Sequence, residues 1–477
     1  MQKLELVLLI ISIGYLLFSK KINTHIKKSI LLSCLVLFFV FHLIKNGYRW
    51  QMIPTYFLWL IALFSAIRNS TKVRKPIIIV LRITGLLLLA GISFIIPTIL
   101  PVFKLPKTTG KFSVGTTNIL LETNSEEIIT STPNDKRRLM IKVWYPTNDS
   151  EGNQDLYIDK GGRFGFAKKY GLPFSTFDYL DKVETDVWKN AKISEGPFPV
   201  LIFSHGYHSK ANGYYALLSK IVSHGYIVFG INHTYESTGT TFPNGEIKFF
   251  DFEYSTRILE NTWHIIEPSM NAFQTTQTFE ERHPIIKKSL KNYFVKDIIE
   301  YWADDIENVS EKLQVWNKKG FFKNKLNLHQ VGIFGHSRGG AAAGEVLLHE
   351  NDIKAGINLD GVQWGQMVDT FFQRPFLLLS SDWSESHPNY NKHAYVNKSK
   401  SDFYEGIIKK SGHSNFMDIP FMIPVNAINE AGTINPNLAI DITSEVVVSF
   451  FNKYLKNQNI DIESLNKKYS DLNLKKR

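Results

Sequence analysis

Ser337 lies in a motif that could turn a serine hydroxyl into a nucleophile. The sequence around it, residues 331–340, reads VGIFGHSRGG. The first residues are apolar, as in a buried strand, and helix-forming residues continue from Arg338 to His349. A G-x-S-x-G pattern between a strand and a helix predicts a strained turn that exposes the hydroxyl, with both glycines where side chains would collide with neighbouring elements. Such a serine could attack the carbonyl carbon of an ester or amide.

Serine chemistry of this kind also requires a base, an acid that orients the base, and donors for the oxyanion. In α/β-hydrolases, where this motif recurs, the chain order is serine, acid, histidine. Four histidines follow the start of the predicted helix far enough to qualify: His349, His387, His393 and His413. His413 alone follows the last predicted strand of the sheet, and we expect it to be the base.

Two aspartates are candidates for the orienting acid. Asp360 ends the predicted strand 353–359, and Asp382 ends the next one, 375–380. Either carboxylate could reach the imidazole of His413, so the residue pattern alone leaves both open. The one that is not used is expected to be an exposed loop carboxylate.

The oxyanion donors are expected to be backbone amides. One is the N–H of Arg338, directly after the nucleophile, and the other is the N–H of Tyr207 in the sequence SHGY at 204–207. We assign no proton transfer to His205, which is expected to be a packed structural residue. This chemistry requires neither a metal nor an organic cofactor.

Strand and helix patterns alternate from about residue 111 onward, which predicts a mostly parallel sheet covered by helices. The predicted strands are 139–145, 199–203, 226–231, 330–334, 353–359, 375–380 and 404–408, and the predicted helices are 214–223, 285–316, 338–349 and 440–454. Together with the serine motif, this order predicts an α/β-hydrolase domain over residues 106–477. The irregular segment 236–284 is too long for a plain connection and is interpreted as a cap or lid, with a disordered surface loop as the alternative.

The first 110 residues differ from the rest in charge and hydropathy. They hold 14 of the 55 basic residues and one of the 44 acidic residues, which leaves a near-neutral remainder with 41 basic and 43 acidic residues. Binding of nucleic acid is therefore not indicated. Four apolar segments lie in this region, at about Leu4–Phe18, Ser29–Ile44, Gln51–Ile67 and Pro76–Phe103. They predict a membrane anchor of about four transmembrane helices over residues 1–105.

The loops between these segments predict the orientation of the anchor. Lysines and arginines are concentrated in the first and third loops, which the positive-inside rule places in the cytoplasm. Both termini then lie outside. We expect a multi-pass protein of the cell membrane, in contact with the lipid bilayer, whose catalytic domain is external.

Several motifs together resemble the platelet-activating factor acetylhydrolase family of serine esterases. They are FSHG at 203–206, SHGYIV at 223–228, GHSRGG at 335–340, LD at 359–360 and GHSNFMD at 412–418. The resemblance implies that Asp360 is the acid and Asp382 the alternative. It also implies calcium-independent hydrolysis of phospholipids with a short or oxidised sn-2 acyl chain, as by a 1-alkyl-2-acetylglycerophosphocholine esterase.

The chain departs from the family pattern in two places. Arg338 follows the nucleophile where the family often has a bulky apolar residue, and Gly361-Val362-Gln363 separate the Leu-Asp pair from Trp364. Other substrates and functions therefore stay open beside a small-molecule or lipid ester. These are a general carboxylesterase or polyester hydrolase, a serine acyltransferase or peptidase, and a non-catalytic membrane receptor built on a hydrolase shell.

Overall fold

The computed structural model describes residues 1–18, 25–67, 75–275, 278–384, 388–396 and 400–477. The chain divides into two compact units. One contains residues 1–103 and 421–428, and the other contains residues 104–420 and 429–477. The candidate base His387 and most of the two basic loops used to predict the orientation, at 19–24 and 68–74, lie outside the described residues.

The first unit is helical. Its four N-terminal helices are α1 (Lys3–Phe18), α2 (His25–Asn46), α3 (Ile53–Ile67) and α4 (Pro76–Ile99). Among the described helices, only Ser29–Asn46 within α2 and the whole of α4 are long and apolar enough to cross a membrane. The sequence predicted about four such helices. The structure supports two, because α1 and α3 have 16 and 15 residues, fewer than the ~20 that a bilayer requires.

A buried ion pair fixes one end of this unit. The guanidinium of Arg49 donates to both carboxylate oxygens of Glu5 at 2.6 Å, and it also donates to the carbonyl oxygen of Leu100 at 2.9 Å. The start of α1, the α2–α3 connection and the end of α4 therefore meet at the same end. Four helices that run alternately up and down require this arrangement.

The second unit is built on a ten-stranded sheet with the order β12-β11-β10-β9-β8-β4-β5-β2-β1-β3. The strands of the chain, including the separate hairpin β6–β7, are β1 (Ser113–Glu126), β2 (Lys136–Thr147), β3 (Val187–Lys189), β4 (Phe198–Ser204), β5 (Ile227–Asn232), β6 (Gly239–Thr241), β7 (Ile247–Phe249), β8 (Leu326–His336), β9 (Ile353–Leu359), β10 (Phe376–Ser381), β11 (Phe403–Ile408) and β12 (Leu472–Lys476). The six central strands, β5, β4 and β8 to β11, are parallel, while β2 and β12 pair antiparallel at the sides. The predicted mostly parallel sheet is confirmed.

Helices pack against this sheet, whose central strands β4 and β5 are buried along their whole length. The remaining helices are α5 (Lys160–Lys169), α6 (Tyr215–Ser223), α7 (Phe252–Thr275), α8 (Phe279–Asn292), α9 (Val295–Lys318), α10 (Arg338–His349), α11 (Asn391–Ala394), α12 (Ile419–Met422), α13 (Asn426–Asn429), α14 (Pro436–Tyr454) and α15 (Leu465–Lys468). Short 3₁₀ helices lie at Trp50–Met52, Phe174–Lys182, Ala211–Tyr214, Gln366–Asp369, His413–Phe416 and Ile462–Ser464.

The segment 236–284 is more regular than the sequence suggested. It contains the hairpin β6–β7, the helix α7 and the first part of α8. Pro268 lies inside α7 and Pro284 inside α8, and prolines at these positions argue against helix in a sequence pattern. The single helix predicted over 285–316 is wrong, because Tyr293 adopts an extended conformation and separates α8 from α9.

Arg137 is the centre of a buried charge cluster that joins β2 to helix α9. Its guanidinium contacts the carboxylates of Asp305 at 2.7 Å, Glu127 at 2.9 Å and Glu236 at 3.4 Å, and all four side chains are at most 2% exposed. It also stacks on the ring of Tyr301. Burial raises the pKa of Glu236 to about 7, although Arg137 opposes the shift. Arg137 is the cation that contacts all three of these carboxylates.

Replacing Arg137 by Met should therefore leave three buried carboxylates without their cation and lower the free energy of unfolding by about 3–5 kcal/mol. The matched control is Arg138→Met. Its ion pair with Glu246 is about one-third exposed, so the loss there should be about 1 kcal/mol or less. Denaturant titration of the detergent-solubilised protein, followed by tryptophan fluorescence, measures both, and equal losses would contradict the buried cluster.

Candidate active site

Ser337 stands on a strained turn between strand β8 and helix α10. The strand ends at His336, two residues beyond the predicted strand 330–334, and the helix begins at Arg338, as the sequence predicted. Ser337 itself has φ 56° and ψ −124°, a region that residues with a side chain rarely occupy. The turn projects the serine away from the strand that carries it.

The glycines of the motif allow the backbones to approach closely at this turn. A Cβ atom on Gly335 would lie 2.2 Å from the carbonyl oxygen of Gly339, and one on Gly339 would lie 2.2 Å from the carbonyl oxygen of Ser204. A Cβ on Gly361 would lie 2.1 Å from the carbonyl oxygen of Ser337. Three backbone segments thus meet around the serine with no room for a side chain at these positions.

Asp360 and His413 form a hydrogen-bonded pair in the same cavity as Ser337. The Nδ1 of His413 lies 2.7 Å from Oδ2 of Asp360, and a cavity of about 930 Å³ is lined by all three residues. Asp360 follows β9 directly and has φ 54°. Within the described residues no hydrogen bond joins the side chains of Ser337 and His413, a contact that often tightens only when substrate binds.

Asp360 is held by three further hydrogen bonds. Its carboxylate accepts from the backbone N–H of Ser381 at 2.8 Å, from the Ser381 hydroxyl at 2.7 Å and from the indole N–H of Trp383 at 3.0 Å. Sequence reasoning missed both donors, although both adjoin the candidate acid Asp382. They hold the carboxylate in the orientation that meets the imidazole.

Asp382 takes a different position. Its side chain is exposed and accepts a hydrogen bond from the backbone N–H of Lys410 at 2.7 Å, while its own N–H donates to the carbonyl oxygen of Ser411. It therefore fixes the turn that leads to His413 and makes no hydrogen bond to the ring. The geometry favours Asp360 as the partner of the histidine.

The electrostatics of the pair suit a general base. Burial lowers the pKa of His413, but the hydrogen bond and negative charge of Asp360, with a smaller effect of Glu430, raise it overall above its ordinary value. The neighbouring His336 has the opposite shift, since burial and the charge of His413 lower its pKa well below the usual range. His336 is therefore neutral when His413 accepts a proton.

Two backbone amides beside the serine have no acceptor. Within the described residues, the N–H groups of Tyr207 and Arg338 make no hydrogen bond. The amides that flank Tyr207 are both used: Gly206 N–H donates to the Tyr214 hydroxyl at 2.9 Å, and His208 N–H donates to the carbonyl oxygen of Glu236 at 2.9 Å. The unused amides are the two that the sequence selected for the oxyanion.

A chain of hydrogen bonds links this loop to His413, and sequence reasoning missed it. The Tyr214 hydroxyl, which accepts from Gly206, lies 2.8 Å from Nδ1 of His336, and Nε2 of His336 lies 3.1 Å from the carbonyl oxygen of His413. With a neutral His336, the tyrosine donates to Nδ1 and Nε2–H donates to the carbonyl. The residue before the nucleophile thereby positions both the oxyanion loop and the base.

A second Ser-His-Asp arrangement lies buried beneath the same loop. The Ser204 hydroxyl is 2.8 Å from Nε2 of His233, whose Nδ1 is 2.7 Å from Asp305. These three side chains are buried, and so is His205, whose Nδ1 contacts the carbonyl oxygen of Gly206. Because these groups are buried, substrate does not reach them, and they hold the loop in place. His205 is therefore a packed structural residue, as expected.

The other histidines considered as bases lie elsewhere. His349 ends α10 with an exposed side chain, and the ring of His393 stacks on Phe279 of α8. Donor atoms of His336, Asp360 and His413 lie within 4.8 Å of one another, close enough to hold a metal ion. All three residues already make the hydrogen bonds described above. Those hydrogen bonds account for the closeness of the three side chains.

Helix α7 of the segment 236–284 contacts the wall of the cavity. Its Ser269 hydroxyl lies 3.0 Å from the hydroxyl of Tyr390, and its Phe273 ring packs edge-on against the Tyr390 ring. Tyr390 lines the cavity together with Trp364. The segment is therefore placed to influence what enters the site.

The family model of platelet-activating factor acetylhydrolase, isoform II, matches residues 99–474. The chain belongs to this family. The match includes the whole catalytic arrangement and leaves out the four N-terminal helices almost entirely. As a member of the platelet-activating factor acetylhydrolase family, the chain is a serine ester hydrolase.

Relatives agree with this assignment, and a solved structure shows the same fold. The platelet-activating factor acetylhydrolase of Canis lupus familiaris is 22% identical over 364 residues, which are 74% of this chain and 77% of that protein. A probable 1-alkyl-2-acetylglycerophosphocholine esterase of Arthroderma benhamiae is 24% identical over 247 residues, 49% of this chain and 51% of that protein. A ferulic acid esterase from Streptomyces cinnamoneus has a TM-score of 0.60 at 20% identity, over 78% of this chain and 99% of its own, and shows the shared fold.

The structure also explains the motif GHSNFMD at 412–418, which contains His413. Phe416 packs against the ring of His336. Asp418 is buried and accepts hydrogen bonds from the N–H groups of Tyr215 and Ala216 at the start of α6. The segment thus ties the base to the helix that follows the oxyanion loop.

Replacing Asp360 by Asn should lower kcat/KM about 10,000-fold, because the amide leaves the imidazole in the wrong tautomer. The acid limb of the pH profile should also move. A histidine acts as base only when neutral, and Asp360 raises the pKa of His413, so removing its charge shifts the limb to lower pH.

The matched control is Asp382→Asn, which retains an acceptor for the Lys410 amide. It should leave kcat/KM within a few-fold and the acid limb in place. Initial rates on p-nitrophenyl acetate across pH measure both variants. A larger loss in the Asp382 variant would show that the acid is Asp382.

Proposed function

We propose that the protein hydrolyses the sn-2 ester of phospholipids with a short or oxidised acyl chain, with Ser337, Asp360 and His413 as its catalytic triad. The observation that carries the triad is the hydrogen-bonded Asp360–His413 pair in one cavity with the strained Ser337. The substrate class is supported by the names of the relatives, two of which denote enzymes acting on such lipids.

The reaction proceeds in two steps through an acyl-enzyme. Nε2 of His413 removes the proton of the Ser337 hydroxyl as its oxygen attacks the ester carbonyl carbon. Asp360 holds the ring by Nδ1 and stabilises its charged form. The protonated ring then donates to the leaving alcohol, and the acyl group remains on the serine.

Water releases the acyl group by the same path, with His413 again acting as base. In both steps the negative oxygen lies against the unused amides of Tyr207 and Arg338, each of which contributes about 3–4 kcal/mol to the transition state. Neither step requires a metal ion. The cavity of about 930 Å³ is at the upper end of the usual range for ligand pockets, and Trp364, Val362 and Val295 supply apolar wall for an acyl chain.

The decisive experiment is a hydrolysis panel with Ser337→Ala as the comparison. The wild type should hydrolyse 2-acetyl phosphatidylcholine and p-nitrophenyl acetate, with lower kcat/KM on phospholipids that carry long sn-2 chains. The alanine variant should lose about a million-fold on every substrate, because the nucleophile is gone.

Ser384→Ala is a suitable control, since Ser384 lines the same cavity outside the triad. It should keep the wild-type pattern. Near-normal hydrolysis by Ser337→Ala would overturn the triad. Equal rates on short and long sn-2 chains, or transfer to alcohols in place of water, would favour a general lipase or an acyltransferase.

We further propose that residues 1–105 anchor the enzyme in the cell membrane as a multi-pass region, with the catalytic domain outside and the segment 236–284 as a lid. Support comes from the two helices able to span a bilayer, from the Glu5–Arg49 pair that brings alternate helix ends together, and from the α7 contacts with Tyr390.

Reporter fusions in a bacterial host test this orientation. Alkaline phosphatase, which is active only outside the cytoplasm, should be active when fused after Gly47 or at the C-terminus and inactive when fused within 68–74. A green fluorescent protein at the same three points should show the reverse pattern. A C-terminal fusion active only in the cytoplasm would refute the external catalytic domain.

A further inference from the structure

Arg338 places a positive charge beside the nucleophile. It is the first residue of α10 and is one of the residues that line the cavity containing Ser337. The guanidinium carbon lies 3.5 Å from the centroid of the Tyr207 ring and 5.6 Å from that of Phe294. Tyr207 is itself held edge-on by Phe250. The planar cation is therefore fixed in orientation by aromatic stacking.

This cation has no carboxylate of its own. Within the described residues, no Asp or Glu oxygen lies within 4.0 Å of the Arg338 guanidinium, and its Nη1 is buried without a hydrogen-bond partner. Tyr207 is its polar neighbour. The carboxylate of Glu236 acts on it from a distance, but that group bonds the indole N–H of Trp302 at 2.7 Å and pairs with Arg137.

Burial lowers the pKa of Arg338, while Tyr207 and Glu236 oppose the shift. A guanidinium nevertheless remains protonated at neutral pH. A partly desolvated cation with unused N–H donors binds an anion strongly, since no protein carboxylate has to be displaced first.

The other cations of the cavity differ from Arg338. Lys392 and Lys475 are exposed to solvent, and Arg477 is paired with Glu405 at 2.5 Å. Solvent and partner charges weaken their effect on a bound ligand. Near the reacting carbon, the charge preference of the site depends on Arg338.

We infer that the Arg338 side chain binds an anionic group of the ester substrate, which makes it a specificity-determining residue. The inference rests on the proposed ester hydrolysis at Ser337. A planar guanidinium suits both a phosphate and a carboxylate. The anion therefore belongs to the phosphate of the lipid head group or to a carboxylate at the far end of an oxidised acyl chain.

Two matched substrate pairs distinguish these sources. The first pair is the p-nitrophenyl monoester of glutaric acid and its methyl ester, which differ by one negative charge on the acyl chain. The second pair is 2-acetyl phosphatidylcholine and the 2-acetyl diglyceride that lacks the phosphate. Arg338→Met retains the backbone amide and an apolar stem, and Arg338→Lys retains the charge.

In at least one pair, Arg338→Met should lower kcat/KM on the anionic member about 10- to 100-fold more than on the neutral member. Arg338→Lys should recover part of that loss. A selective loss in the glutarate pair assigns the anion to the acyl chain, and one in the lipid pair assigns it to the head group. Equal losses on both members of both pairs would overturn the inference.

The same panel separates this inference from the proposed function. If the wild type hydrolyses the neutral esters and Ser337→Ala does not, the esterase stands whatever Arg338 does. If the wild type hydrolyses none of the four, both proposals fall. Should Arg338→Met not fold, glutarate and inorganic phosphate can be tested as competitors of the neutral methyl ester on the wild type, and no competitive inhibition by either would refute an anion site.

Discussion

The close approach of three backbone segments at Ser337 is the constraint on which the site depends. The end of β8, the loop after β4 and the loop after β9 meet there at distances that exclude any Cβ atom on Gly335, Gly339 or Gly361. This crossing directs the serine into the cavity and leaves the first amide of α10 unused. It also brings the β4 loop near enough to supply the second amide.

Buried polar side chains hold in place the backbone segments that meet at Ser337. Tyr214 and His336 connect the oxyanion loop to the backbone of the base, and His233 and Asp305 support the same loop from below. Arg137 neutralises the acids beneath it. These polar side chains around the loop all have partners, whereas Nη1 of Arg338 is buried without a hydrogen-bond partner among the described residues.

Much of this architecture could be predicted from the sequence. The central strands are buried on both faces, so each forms a short apolar run that predicts a strand. The serine turn and α10 follow from the glycine spacing together with the apolar residues before the motif and the helix-forming residues after it. The strand β1, between β2 and the short edge strand β3, was missed because only five of its 14 residues are buried and its pattern is polar. Helix α7 and the first turns of α8 were missed because Pro268 and Pro284 oppose a helical interpretation, although both lie inside helices in the structure.

The sequence by itself predicted Ser337 as the nucleophile, His413 as the base, the loop expected to supply an oxyanion amide, and a cation at Arg338 beside the serine. These predictions depend on local spacing and on the order of elements along the chain. The residue pattern alone left Asp360 and Asp382 open as the acid, and the tertiary structure distinguishes their positions. Both follow neighbouring parallel strands and look alike in sequence, but the carboxylate of Asp360 meets His413, while that of Asp382 binds the turn at Lys410. That difference is set by side-chain directions at the ends of the strands, which depend on packing between distant segments.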